Sequence, residues 1–132
     1  MNNPTALPVD AMANARAIAR DLAKSADEVE RTRRIPADLL ARMHELRLCK
    51  MLLPKSTGGD EIHPGLYLQC IEELSQHNSS VGWNVFVANS AALIAPYLEP
   101  ETAQMVFGPP NALVAWGPPN ATLATIEPGG YR

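Results

Sequence analysis

Ser79-Ser80-Val81-Gly82-Trp83-Asn84-Val85-Phe86-Val87-Ala88-Asn89-Ser90-Ala91-Ala92-Leu93-Ile94 is apolar on nearly every side once wound into a helix. Asn78, Ser79 and Ser80 offer side-chain oxygens that can cap its first turn. The apolar run from Val81 to Leu98 is long, but Asn84, Asn89, Ser90 and Pro96 interrupt it with groups that hydrocarbon penalises. A buried helix at the centre of a bundle is therefore expected, not a membrane span.

Working downstream, Pro96 has no amide to donate, so the helix must end or kink beside it. Pro100 can open a short helix that Gly108 terminates. Upstream, Pro64 suits the start of a helix with Leu66, Tyr67, Cys70, Ile71 and Leu74 facing inward, ending near His77. Pro36 suits the first turn of another, with Leu39, Leu40, Met43 and Leu46 as its stripe. Before that, Asp10 can cap a helix in which Ala11, Ala15, Ile18, Leu22 and Val29 recur at three- and four-residue steps. Arg31, Arg33 and Arg34 close it, where cations favour the carbonyl end of the dipole. These first two helices are expected to pair as a hairpin. Between the second helix and Pro64, Leu48 to Leu53 reads as extended chain and Lys55 to Gly59 as a loop.

After Gly108 the character changes. Pro109 and Pro110 break the helical pattern, and Ala112 to Trp116 and Ala121 to Ile126 carry the composition of strands. Glu127-Pro128-Gly129-Gly130 is a turn sequence, with Tyr131-Arg132 as the first residues of a returning strand. The expected organisation is a helical domain over residues 1–108 and the opening of a β-domain over 109–132. Because a lone strand leaves backbone groups unpaired, the sequence also reads as a chain severed partway into a β-ladder.

The 132 residues suffice for one domain with a core of its own, and 46% apolar with 19% charged residues is globular composition. A net charge of -3, with both signs interspersed, provides no cationic face for a phosphate backbone, so nucleic acid is excluded as a partner. Cys49 and Cys70 lie far apart outside any C-x-x-C pair and read as reduced, packed thiols. Met1-Asn2-Asn3-Pro4 lacks the basic start of a secretory leader, which makes the cytoplasm the expected location.

Few residues carry chemistry by spacing alone. His44, His63 and His77 are too scattered for a metal site. Glu72 and Glu73 would project about 100° apart on a helix, so they form a solvated or ion-paired face, not an acid-base pair. Gly58-Gly59 has neither the lysine nor the context of a phosphate loop. Trp83, Asn84, Asn89 and Ser90 put polar groups into a core, where they must bond neighbouring elements or a ligand. In Trp116-Gly117-Pro118 an aromatic beside a glycine at a strand end permits close approach by a flat ligand.

Arg34-Ile35-Pro36, Leu52-Leu53-Pro54 followed by Gly58-Gly59, Glu72-Glu73-Leu74 and Ser79-Ser80-Val81-Gly82-Trp83 stand in this order along the chain. In that order and spacing the chain resembles the N-terminal helical domain of the acyl-CoA dehydrogenase superfamily, running into its middle β-domain. Arg47 falls where the family often has a helix-stopping glycine. Trp116-Gly117-Pro118 stands where dehydrogenases carry a Thr-Glu pair, which brings the chain closer to the flavin-dependent hydroxylase branch.

The resemblance implies a mainly α fragment of a flavoenzyme, with FAD or FMN held by the whole protein and not tightly by these residues alone. It implies that Trp116, Gly117 and Pro118 lie near the isoalloxazine. Trp83, Asn84 and Asn89 then line the substrate side of the central helix, and the catalytic residues lie beyond Arg132. The implied activity is a two-component monooxygenase that uses reduced flavin and oxygen on a small aromatic or polycyclic substrate. Its implied partners are a flavin reductase and further copies of itself. The alternatives are an acyl-CoA dehydrogenase and a non-catalytic helical interaction module.

Overall fold

The computed structural model describes residues 10–118 and 123–132, and within them the chain forms six α-helices and one short hairpin. Helices α1 (Ala11–Ala17) and α2 (Ala19–Thr32) follow one another, then α3 (Ala37–Glu45), α4 (Pro64–His77), α5 (Ser79–Ala92) and α6 (Pro100–Phe107). Single 3-10 turns occupy Lys55–Thr57 and Ala95–Tyr97, the second beside Pro96 as expected.

The first helix is not continuous. Ile18, wholly buried and with φ -96° and ψ -7°, stands between α1 and α2, and its carbonyl accepts from both Asp21 and Leu22. Ala11, Ala15, Ile18 and Leu22 are all buried despite the break. Their stripe packs on α4, which touches α1, α2 and α5, while α2 and α3 face each other across a cleft lined by Asp21, Ser25 and Glu28 on one side and Asp38, Leu39 and Arg42 on the other. Helix α3 joins the same core through Leu39 and Met43.

Capping explains where α5 begins. Asn78 is extended (φ -159°) and its Oδ1 accepts from the Val81 amide at 3.2 Å, so α4 ends and α5 starts at the same residue. The two helices then cross closely at Gly82, where a Cβ would lie 2.2 Å from Ser75 Oγ. Helix α5 buries Val81, Val85, Ala88, Asn89 and Ala92, but Trp83 and Asn84 on its other side are exposed. It is nonetheless the more deeply buried of the central pair, since α4 buries only Tyr67, Cys70 and Leu74.

Residues 48–53 form turns and bends, not extended chain. Irregular hydrogen bonds hold them: Asp60, Ile62 and Glu61 donate their amides to the carbonyls of Lys50, Met51 and Leu53. The return is tight enough that a Cβ on Gly59 would meet the Leu53 carbonyl at 1.8 Å.

The expected strand at Ala112–Trp116 is irregular chain, because a strand exists only as part of a ladder and no described segment pairs with it. The second expected strand falls partly outside the described residues. Its end, β1 (Ile126–Glu127), pairs antiparallel with β2 (Gly130–Tyr131) around Pro128-Gly129, and Thr125 and Arg132 exchange both backbone hydrogen bonds.

Candidate functional site

Three anchors bring the chain after α6 back onto the bundle. The first is Lys50, a buried residue whose ammonium donates to the carbonyls of Phe107 and, at 2.9 Å, Pro109. It meets the carbonyl end of α6, where the helix dipole favours a cation. Burial and then the nearby Arg47 lower its pKa. The second is Val114, packed on the small core of Leu53, Ala92, Ala95 and Phe107. The third is Trp116, whose indole Nε1 donates to Ser90 Oγ at 2.8 Å, while that hydroxyl donates to the Val87 carbonyl at 3.0 Å.

Together these lay residues 113–116 alongside α5 and over α3. Between them runs a cleft of about 130 Å³ whose walls include Ile35, Leu40, Met43, Val87 and Leu113, with Asn84 at its polar edge. Cys49 closes one side; burial pushes its thiol up to about 11, so it is neutral.

The residues singled out in the sequence separate into two groups. Trp116, Gly117 and Pro118 are exposed and contiguous beside α5, and among the described residues a Cβ on Gly117 would meet nothing within 4 Å. Trp83 is 62% exposed and stacks on Phe86 with centroids 5.4 Å apart. Asn84 is exposed, and its Nδ2 donates to the Ser80 carbonyl at 2.8 Å. Asn89 goes elsewhere. It is completely buried, its Nδ2 donates to the carbonyls of Leu48 and Val85 at 2.8 and 2.9 Å, and its Oδ1 accepts from the Leu52 amide at 3.0 Å. Asn89 thus ties α5 to the 48–52 segment, with both amide hydrogens committed within the chain.

The remaining candidates are structural. His63 Nδ1 accepts from the Gly65 amide at the start of α4, and Glu73 lies 3.8 Å from Arg16 and 3.5 Å from His77. Burial and Lys50 lower the pKa of His44. Sequence reasoning missed Lys50, which read as one residue of an apolar run; a lysine inside such a run is the signal that could have found it. Among the described residues no helix is long and apolar enough to cross a membrane.

Residues 10–105 match the family model described as "Acyl-CoA dehydrogenase, N-terminal domain". The chain belongs to the acyl-CoA dehydrogenase family. The matched span runs from the Asp10 cap of α1 to within two residues of the end of α6, so the whole helical bundle is this family's N-terminal domain. The chain is also similar to a protein of Rhodococcus erythropolis named "Pigment production hydroxylase", 27% identical over 92 residues. That alignment covers 70% of this chain but 23% of the relative, so the chain spans about a quarter of that protein's length.

Acyl-CoA dehydrogenase family members typically bind FAD. In this chain the Trp116 indole and Gly117 are exposed.

Proposed function

We propose that the chain is the helical part of a flavin-dependent monooxygenase that hydroxylates a small aromatic or polycyclic substrate, with reduced flavin delivered by a separate reductase. The observation that carries this reading is the Trp116 indole fastened to α5 through Ser90. It gives the flavin side of the site an aromatic, donor-poor surface in place of a Thr-Glu pair. The name of the Rhodococcus relative supports the same branch.

In this reading Trp116, Gly117 and Pro118 hold the isoalloxazine and Trp83 and Asn84 face the substrate. When bound, the flavin supplies the oxygen-activating redox chemistry. The chain's own contribution is to bind, orient and exclude water: the cleft behind residues 113–115 is lined mostly by hydrocarbon, which disfavours solvent at the reacting ring. The proposal extends to residues 109–132 as the opening of the β-domain, to a cytoplasmic location and to a homo-oligomer. Exposed Ile94, Tyr97 and Met105 supply apolar surface for such assembly.

The test is made on the longer polypeptide that carries this domain. Oxygen consumption coupled to hydroxylation of a phenolic substrate, dependent on an added flavin reductase, is the expected result. Bleaching of bound FAD by an acyl-CoA under anaerobic conditions would instead make the protein a dehydrogenase.

A further inference from the structure

From the side chains that converge on the open cleft between α3 and residues 110–111, we infer a binding site for a phosphate group carried on a small organic ester. The cleft holds about 370 Å³, and its walls include His44 and Glu45 of α3, Arg47, Lys50 and Asn111. It is distinct from the apolar cleft, since α3 gives Leu40 and Met43 to that one and Ala41, His44 and Glu45 to this one. The inference is independent of the hydroxylase reading and involves no flavin.

The buried charge comes first. Lys50 is 6% exposed, and a lysine so deeply covered is ordinarily paired. Among the described residues no carboxylate pairs with it. The carbonyls of Phe107 and Pro109 take two of its three protons, and the dipole of α6 supplies roughly half a counter-charge. Part of a positive charge and one N–H remain unmatched at the wall of a cleft with room for an anion.

The neighbours come second. Arg47 commits Nε and Nη2 to Asp60 and Gly58, but among the described residues its Nη1 makes no hydrogen bond. The His44 ring and the Asn111 side-chain amide also line the cleft without a hydrogen bond among the described residues. Glu45, the one acid in the lining, is bound to Arg42 at 2.9 Å. A phosphate presents three oxygens to such a set of donors where a carboxylate presents two. The volume far exceeds the roughly 30 Å³ share of one water, so the organic part of an ester enters with its phosphate.

Electrostatics couples the site to protons. Burial and then Lys50 lower the pKa of His44, which leaves the ring neutral. An anion beside Lys50 opposes the Coulombic part of that shift and raises the pKa. By reciprocity, protonating His44 tightens the anion. The charged groups around the ring in the cleft are Glu45 on its own helix and Arg47 and Lys50 after it; Pro110 and Asn111 bring none.

NMR titration of the 132-residue chain with inorganic phosphate, methyl phosphate, acetate and chloride at constant ionic strength tests this. Saturable shifts of the Asn111 side-chain amide and the His44 ring are expected with both phosphates and absent with chloride. Acetate, with fewer oxygens and less charge, should bind about tenfold more weakly. The His44 pKa should rise when phosphate is bound. Sulfate, a dianion throughout, should bind more tightly as the solution is acidified through the His44 titration, and His44→Gln should remove that pH dependence. Asn111→Ala, an exposed substitution, should weaken phosphate about fivefold, the worth of one net hydrogen bond, without changing the melting temperature. Lys50→Met should abolish binding; if it unfolds the chain, the His44 and Asn111 variants decide. Phosphate shifts no larger than those of chloride, no saturation at tens of millimolar phosphate, or a His44 pKa that phosphate leaves unmoved would overturn the inference.

Discussion

Trp116 Nε1 lies 2.8 Å from Ser90 Oγ, a hydrogen bond across 26 positions that joins irregular chain to a helix wall. Because Trp116 is 54% exposed, hydrophobic burial does little to fix the indole, and the hydroxyl supplies the direction.

Ser90→Ala should therefore free the indole while sparing the bundle. We expect a stability loss of about 1 kcal/mol or less, the net worth of one exposed hydrogen bond, but a clear rise in acrylamide quenching of Trp116, read in a Trp83→Phe background. Unchanged quenching would mean that packing, not Ser90, holds the ring.

Arg47 shows two effects opposed. Its φ of 58° is left-handed, a conformation that costs a non-glycine residue roughly 1–2 kcal/mol. Yet its guanidinium contacts the Asp60 carboxylate at 2.6 and 2.7 Å and the Gly58 carbonyl at 2.8 Å, and the Asp60 side chain is 3% exposed. Stranding a buried carboxylate costs about 3–5 kcal/mol, so the pairing wins. Arg47→Gly should destabilise by about 2 kcal/mol in urea unfolding although glycine suits the backbone better. A stabilised Arg47→Gly would show that the backbone term dominates.

Asn89→Leu leaves the Leu52 amide and the Leu48 carbonyl without their partner inside the core. Orphaned buried groups cost about 1–3 kcal/mol each, so a loss of roughly 3 kcal/mol is expected. A variant that melts like the parent would return Asn89 to the ligand side.

The pH dependence follows from burial. Desolvation pushes the Cys49 thiol from 9.0 up to about 11, outweighing the opposite pull of Lys50, and pushes Tyr67 from 10.0 up to about 12. An unfolded chain releases these protons earlier, so the stabilisation is complete below pH 9 and drains as pH rises from about 9 through about 11 for Cys49. Urea midpoints at pH 8, 9.5 and 11 should fall, and Cys49→Ala should make the first part of the fall shallower. A flat alkaline limb in the parent would contradict this.

The helix starts were legible because they rest on local chemistry: Asp10, Asn78, Pro64 and Pro100 act within a few residues of themselves. The break at Ile18 and the hub role of α4 were not, since apolar periodicity says which side of a helix is buried but not against what. The stretch from Ala112 read as a strand on composition, but strand formation depends on a partner that no local pattern supplies. In the site, Asn84 and Trp116 stood out by type. Asn89 looks identical to Asn84 in the sequence, and only its register five residues further along α5 turns it inward.

The proposed role of Trp116 is to form one wall of the flavin site. The direct measurement is calorimetric titration of FAD, under reducing conditions, into the longer polypeptide with and without Trp116→Ala. One FAD per chain is expected, with affinity weakened at least about tenfold by the substitution, the loss of a stacked aromatic contact being worth roughly 1.4 kcal/mol or more. Equal affinity in the two proteins, with the helical bundle intact by circular dichroism, would contradict it.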